Sequence, residues 1–222
     1  MSKNNFPAAV LWDMDGTLID SEPYWMASED SLARSYGGTW TEADAHATIG
    51  KSLYDSSRML REKFGINDLS VQEVIDRMTN EVIESLKKNL PFRPGAVELL
   101  IELKRRGIKT ALVTMSMRTM AQTVADRIGF DAFDVIVAGD DVTMGKPHPE
   151  PYLKAAELLG VDVTECIAFE DSHSGLASAE AAGTHAIGVP NLISLPERPT
   201  NKIIASLTEV DLDQIESLRV HD

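Results

Sequence analysis

The sequence predicts an α/β fold, a doubly wound parallel sheet with an inserted helical domain. Two observations support this prediction. Short apolar runs alternate with helical patterns through most of the chain, as expected when crossover helices join parallel strands. Residues 21–90 break this alternation, because their periodic segments all have helical spacing and no strand-like run separates them.

Five short, mainly apolar runs are the predicted strands, and their composition indicates burial on both faces, as in parallel sheets. They lie at 8–12, 109–114, 135–138, 166–170 and 185–189. Four helices are predicted in the same part of the chain, each closed by a glycine suited to a helix C-cap. They lie at 95–106, 117–128, 149–159 and 174–182, and a loop at 190–202 precedes a last helix at 212–218.

The insertion is predicted to contain four helices, at 23–36, 41–48, 53–64 and 70–88. Two prolines and a glycine within 91–95 mark the return to the α/β part. We therefore expect two domains, an α/β core made of residues 1–20 and 91–222 and a helical domain made of residues 21–90. A helical lid beside the loop after the first strand would close over whatever that loop binds.

Composition and charge argue against several classes of function. The net charge is −14 and the longest basic run is 104–106, so we expect no nucleic-acid partner. No segment approaches 18 uninterrupted apolar residues, so we expect no membrane association and a cytoplasmic location. The single cysteine, Cys166, lies in a predicted buried strand, which indicates an inert core thiol.

Carboxylates lie where the predicted strands end. Asp13 and Asp15 follow the first strand, and Glu170 and Asp171 end the fourth. Ligands in such sheets bind beyond the carboxyl ends of the strands, so these side chains are expected to converge. Because converging negative charges repel one another, the site requires a cation. Oxygen ligands favour Mg²⁺ over zinc.

Two other polar residues also lie at or after the ends of predicted strands. Thr114 ends the second predicted strand, and Lys146 lies in a Gly-Lys-Pro segment after the third. A hydroxyl and an ammonium group next to a bound cation suit an anionic ligand, and a local positive field can hold that ligand despite the acidic net charge. We expect Lys146 to supply a mobile positive charge.

The order of these segments resembles the four motifs of the haloacid dehalogenase-like (HAD) superfamily, and the match covers essentially the whole chain. The segments are Asp13-Met14-Asp15-Gly16-Thr17, Thr114, Lys146 and Glu170-Asp171. The insertion is similar to the small α-helical cap of the branch that contains β-phosphoglucomutase and sugar-phosphate phosphatases. The resemblance implies a Rossmann-like core and Mg²⁺-dependent hydrolysis of a small phosphate monoester, such as a sugar or polyol phosphate.

The resemblance also implies roles for individual residues. Asp13 would be the nucleophile that forms an aspartyl phosphate, and Asp15 the general acid and base. Thr114 and Lys146 would bind the phosphoryl oxygens. The implied metal ligands are Asp13, Asp15 through its backbone carbonyl, Glu170 and Asp171. In the second motif the sequence departs from the family, because Met115 and Met117 flank Ser116 where small polar residues are usual.

The segment Gly50, Lys51 and Ser52 occupies the place of the specificity loop of this branch, where Lys51 could bind a second polar group of the substrate. A phosphomutase is the alternative function. β-Phosphoglucomutase carries an arginine about three residues after the loop glycine, and Leu53 stands there instead, which favours a hydrolase.

Two other functions are disfavoured. A haloacid dehalogenase does not use the second aspartate of the first motif, whereas Asp15 is present here. A non-catalytic binding protein with this fold would be expected to have lost at least one motif residue, and none is lost.

Overall fold

Two units make up the chain. The computed structural model describes residues 6–48, 52–213 and 215, with the side chain of His46 left out. One unit consists of Met1–Asp20 together with Phe92–Asp222, and the other consists of Ser21–Pro91. We call these the α/β unit and the helical unit. The helical unit ends at Pro91, one residue after the end predicted for the insertion.

Within the described residues, the α/β unit contains a six-stranded sheet in the order β3-β2-β1-β4-β5-β6, with every neighbouring pair parallel. The strands are β1 (Ala9–Trp12), β2 (Lys109–Val113), β3 (Val135–Val137), β4 (Cys166–Glu170), β5 (His185–Gly188) and β6 (Asn201–Ile203). The strand order reverses beside β1, so the carboxyl ends of β1, β2 and β4 surround a topological switch point. The predicted fold class is confirmed.

Amphipathic helices form the described part of the helical unit. They are α1 (Glu22–Ser35), α2 (Glu42–Thr48), α3 (Leu53–Phe64) and α4 (Val71–Lys88). Polar side chains set where two of them begin. Ser52 accepts a hydrogen bond from the Asp55 amide at the start of α3, and Ser70 forms a reciprocal capping box with Glu73 at the start of α4.

The remaining helices flank the sheet of the α/β unit. They are α5 (Ala96–Arg105), α6 (Arg118–Asp126), α7 (Glu150–Leu159) and α8 (His173–Ala182). Their apolar faces and the buried strands form the core, where Trp12 packs on Phe169 with a ring-centroid distance of 5.1 Å. No helix in the described part of the chain is long and apolar enough to cross a membrane.

The carboxyl-terminal region differs from the prediction. The expected loop at 190–202 runs into strand β6, whose Asn201 pairs with Ala186 of β5. A short edge strand of this kind is held by backbone pairing and lacks an apolar pattern, so no sequence signal marks it. The last predicted helix, 212–218, lies partly outside the described residues, which end at 213 and 215.

Candidate active site

Strand register brings the first and fourth motifs together. Trp12 pairs with Phe169 across β1 and β4, and the amide of Asp13 donates to the Phe169 carbonyl at 3.0 Å. The next residues, Asp13 and Glu170, therefore lie side by side at the carboxyl end of the sheet. This proximity follows from parallel pairing alone, and it places two carboxylates at the switch point.

Lys146 joins these two carboxylates. Its Nζ donates to Asp13 Oδ1 at 2.7 Å, to the Val113 carbonyl at 2.9 Å, and lies 2.6 Å from Glu170 Oε1. An ammonium group has three N–H donors, so these contacts use all of them. Only 5% of the Lys146 side chain is exposed. Lys146 therefore lies beside the carboxylates, and its predicted role in binding phosphoryl oxygens stays a prediction.

Burial and neighbouring charges both shift the pKa values of this cluster. The pKa of Asp13 is raised to about 7, because burial and then the charge of Glu170 outweigh the lowering effect of Lys146. Burial alone would lower the pKa of Lys146, but the charges of Asp13 and Glu170 outweigh burial and raise that pKa above its ordinary range. Lys146 therefore remains an ammonium cation.

Asp15 is held by hydroxyl groups of the second motif. Ser116 donates to Asp15 Oδ2 at 2.7 Å, and the Thr114 hydroxyl donates to the same oxygen at 3.3 Å. The Thr114 oxygen also accepts from the Ser116 amide at 3.0 Å. Thr114 thus lies beside Asp15, as strand order suggested. The sequence analysis did not assign Ser116 to the site, although its spacing from Thr114 was a usable signal.

The departure at Met115 has a structural counterpart. The Met115 sulfur accepts a hydrogen bond from the Lys146 backbone amide at 3.3 Å. A Cβ atom on Gly145 would lie 2.7 Å from that sulfur, so the thioether packs where only glycine leaves room. Met115 therefore contacts the backbone that carries the lysine.

Three carboxylates form a cluster that could hold a metal ion. Ligand oxygens of Asp13, Glu170 and Asp171 lie within 4.8 Å of one another. Asp13 Oδ2 is buried and has no hydrogen-bond partner among the described residues, so it is open to a ligand outside the protein. An all-oxygen set with a buried, unpartnered acceptor fits a hard divalent cation. The Asp15 side chain does not belong to this cluster.

Two glycines make room for the cluster. A Cβ atom on Gly16 would overlap Asp171 Oδ2, and one on Gly175 would overlap Glu170 Oε2. Real side chains do not tolerate such overlaps, so both carboxylates occupy space that any other residue would fill. Gly16 belongs to the first motif, and Gly175 lies four residues after Asp171, in α8.

Tyr152 is a second residue that the sequence analysis did not assign. It lies in the first turn of α7, is fully buried, and donates from its hydroxyl to Glu170 Oε1 at 2.5 Å. Lys146 Nζ lies 5.3 Å from the centre of its ring. Burial and then the charge of Glu170 raise the pKa of Tyr152 well above its ordinary value, so the hydroxyl remains a donor.

Other polar residues near the predicted motifs also have structural partners. Arg118 pairs with Asp141, which anchors the start of α6. The metal-binding group found among the described residues contains no histidine. In the predicted specificity loop, Gly50 and Lys51 lie outside the described residues, and Ser52 caps α3. The specificity role of all three stays a prediction.

Comparison with known proteins identifies the family. Residues 7–183 match the profile of the haloacid dehalogenase-like hydrolases. The chain belongs to this family. The matched region spans both units and contains every motif residue discussed above, so the resemblance inferred from the sequence is confirmed, and the protein is a hydrolase of this family.

Named relatives of this family member include phosphatases. Hexitol phosphatase B of Escherichia coli is 32% identical over 184 residues, which is 82% of this chain and 83% of the relative. A phosphorylated carbohydrates phosphatase of Thermotoga maritima is 37% identical over 181 residues, covering 81% and 83%. Among solved structures, a β-phosphoglucomutase from Clostridium difficile superposes with a TM-score of 0.81 at 26% identity, covering 96% of this chain and 97% of that one.

Proposed function

We propose that this protein is a magnesium-dependent phosphatase that hydrolyses a small sugar or polyol phosphate through a phosphorylated Asp13. The observation that carries the proposal is the arrangement of Asp13. Its Oδ1 accepts from Lys146, whereas its Oδ2 is buried and has no partner among the described residues. One carboxylate thus combines a held oxygen with an open one, as a nucleophile at a cationic site requires.

The reaction proceeds in two displacements. An oxygen of Asp13 attacks phosphorus, and the bond between phosphorus and the leaving alcohol oxygen breaks while Asp15 donates its proton to that oxygen. Water then attacks the aspartyl phosphate, Asp15 takes a proton from the water, and the bond between phosphorus and Asp13 breaks. Inorganic phosphate leaves, and both aspartates return to their starting states.

The second motif and Lys146 serve these steps. The hydroxyls of Ser116 and Thr114 hold the Asp15 carboxylate, which fixes the acid and base relative to β2. Lys146 supplies a fixed positive charge beside Asp13, and such a charge stabilises the phosphoryl oxygens as negative charge spreads over them. We propose that the Thr114 hydroxyl, which donates to Asp15 here, turns to donate to a phosphoryl oxygen when the substrate binds.

We assign Mg²⁺ to the carboxylate cluster. Asp13, Glu170 and Asp171 would hold it, together with the backbone carbonyl of Asp15 that the family resemblance implies. The bound ion would supply positive charge to the phosphoryl oxygens, which lowers the barrier to in-line displacement. Mg²⁺ suits this set because it favours carboxylates, waters and phosphate oxygens.

The substrate class follows from the named relatives. One is a hexitol phosphatase and another a phosphatase of phosphorylated carbohydrates. We therefore propose that the leaving group is a sugar or a polyol alcohol. The alcohol oxygen of such a substrate is a poor leaving group without a proton, which is the step that Asp15 serves.

The test measures free phosphate released by purified protein from a panel of hexitol, hexose, pentose and glycerol phosphates. We expect turnover of at least one member with Mg²⁺, loss of turnover after chelation, and restoration by Mg²⁺ but not by Ca²⁺, whose looser geometry disturbs in-line attack. Full activity after exhaustive chelation would contradict the metal assignment. No phosphate release from any member, nor from p-nitrophenyl phosphate, would contradict the proposed function.

A phosphomutase is the second candidate, because the solved β-phosphoglucomutase covers nearly the whole chain. Leu53, at the start of α3, stands where the resemblance to β-phosphoglucomutase implies an arginine. We therefore expect β-glucose 1-phosphate to yield inorganic phosphate. Stoichiometric formation of glucose 6-phosphate, followed with a coupled dehydrogenase, would favour the mutase instead.

A further inference from the structure

We infer that Tyr152 is a positioning residue, whose hydroxyl fixes the Glu170 carboxylate so that one oxygen pairs with Lys146 and the other remains for the metal ion. This inference rests on the proposed function, because it concerns the same site. It assigns a role to a residue that lies outside the four motifs.

The contacts divide the two oxygens of Glu170. Oε1 accepts from the Tyr152 hydroxyl at 2.5 Å and lies 2.6 Å from Lys146 Nζ. Oε2 has one long contact, 3.5 Å from the Ser172 hydroxyl. Two strong donors therefore hold the same oxygen, and the carboxylate cannot rotate without losing both.

The backbone of α8 also confines the Glu170 carboxylate. A Cβ atom on Gly175 would overlap both carboxylate oxygens, so the carboxylate rests against the backbone of α8. Tyr152 on α7 and Gly175 on α8 thus confine Glu170 between two helices. A side chain confined in this way presents its free oxygen in one direction, which is what a metal ligand requires.

Packing alone does not account for the hydroxyl. Tyr152 belongs to the apolar face of α7 with Ala155, Ala156 and Leu159, and it is fully buried. A phenylalanine would fill the same space and keep the ring 5.3 Å from Lys146 Nζ. The hydroxyl adds one interaction, the hydrogen bond to Glu170, so its role can be tested without disturbing the core.

The experiment compares Y152F with wild-type protein by calorimetric titration of the chelated proteins with MgCl₂, and by kcat and KM for p-nitrophenyl phosphate. Removal of a residue that orients a metal ligand typically weakens metal affinity or activity by roughly 10- to 100-fold. We expect a weaker Mg²⁺ affinity and a lower kcat of this order, a KM for p-nitrophenyl phosphate that changes little, and a similar melting temperature in chelator.

The matched control is Y36F. Tyr36 also donates to a carboxylate, that of Asp68 at 2.8 and 2.9 Å, but in the helical unit and at the surface. The Y36F variant loses the same kind of hydrogen bond as Y152F, and we expect no change in its Mg²⁺ affinity or kcat. Replacement of Tyr152 by p-aminophenylalanine, which restores a donor at the same place, should recover most of the affinity.

A double variant tests whether Tyr152 acts through Glu170. In the E170Q background, Y152F should lower Mg²⁺ affinity much less than it does alone, because the carboxylate that it positions is gone. Equal fold-losses in both backgrounds would mean that Tyr152 acts by another route, and the inference would be wrong.

The remaining outcomes also decide the question. Wild-type affinity and kcat in Y152F would overturn the inference while leaving the proposed function intact. A Y152F protein that fails to fold would assign the hydroxyl to stability and overturn it as well. If the wild-type protein neither binds Mg²⁺ nor hydrolyses phosphate esters, the proposed function fails first.

Discussion

The two units bury charge in different ways. In the α/β unit, Asp13 and Glu170 are buried beside Lys146, with side-chain exposures of 9%, 1% and 5%. In the helical unit, Glu29 is buried with a neutral partner, the Trp40 indole, which donates to Glu29 Oε2 at 2.7 Å. Lys146 is a cationic partner for both carboxylates, and its charge lowers the pKa of Asp13 against the effects of burial and of Glu170. The pKa of Glu29 is also raised to about 7, because burial, with a smaller contribution from the charge of Glu22, outweighs the Trp40 hydrogen bond.

Buried charges have different consequences in the two units. Buried ion pairs rarely increase stability over apolar packing, so a cluster like that of the α/β unit points to chemistry. A buried acid such as Glu29, with a folded-state pKa of about 7, lowers stability as pH rises from the ordinary glutamate pKa to that value. Substitutions in the first group should therefore change turnover, and substitutions in the second should change stability.

The largest expected effect is that of D13N. An amide accepts the Lys146 hydrogen bond with nearly the same shape but is no nucleophile, so we expect turnover to fall by at least roughly 10⁴-fold. Stability should be unchanged or higher, because one of two neighbouring negative charges is removed. Phosphate release and urea denaturation measure the two quantities. Retention of more than a few per cent of activity would contradict a covalent Asp13 intermediate.

The second-largest effect is expected for G175A, a substitution in α8 beside the same carboxylate cluster. In G175A the new methyl group must displace the Glu170 carboxylate, since the two would otherwise overlap. We expect Mg²⁺ affinity to weaken roughly 10- to 100-fold, as for other changes that reorient a metal ligand. S174A, a neighbouring change that adds no atom, is the control. Unchanged Mg²⁺ affinity in G175A would show that Glu170 does not bind the ion.

In the helical unit, E29Q should alter stability with pH. Below the ordinary glutamate pKa of 4.5 both the folded and unfolded states are protonated, and no cost arises. As pH rises the unfolded state ionises first, so stability falls until the folded pKa of about 7 is passed. Glutamine keeps the Trp40 hydrogen bond without ionising.

We therefore expect E29Q to be more stable than wild type by roughly 3 kcal/mol at pH 8, with the difference falling towards zero as pH drops below 4.5. Urea denaturation at several pH values measures this difference. E62Q, at an exposed position of α3, is the control and should show no such trend. A pH-independent difference for E29Q would mean that Glu29 does not titrate in this range.

The smallest expected effect concerns local structure in the helical unit. S70A removes the hydroxyl that accepts from the Glu73 amide at 3.2 Å at the start of α4. Loss of such a cap typically costs about 1 kcal/mol. Urea denaturation should show this loss, and S70T, which keeps the hydroxyl, should retain most of the stability. Turnover per folded molecule should not change.

Most helices and strands could be predicted from the sequence because their patterns are local. Apolar runs ended at the residues that form the site, and glycine or proline marked most helix ends. The carboxyl ends of β1 and β4 could be paired from topology alone, which placed Asp13 beside Glu170. Lys146 was assigned to the site from its segment and order.

What the sequence could not supply were contacts between elements that carry no pattern. Tyr152 sits on the apolar face of α7, where a buried aromatic residue is typical of a core position. Only the packing of α7 on the sheet brings its hydroxyl to Glu170. The prediction that Lys146 supplies a mobile charge also differs from the structure, because three acceptors hold its ammonium group.

One residue of the sheet offers a way to follow the α/β unit by itself. Cys166 is the single cysteine of the chain, it is fully buried at the start of β4, and burial raises the pKa of its thiol to about 12. A thiol in this state does not react with a disulfide reagent until the strand is exposed to solvent. The rate of labelling at Cys166 therefore reports how often the central sheet opens. Cys166 lies four residues from Glu170 on the same strand, so the experiment needs no engineered cysteine.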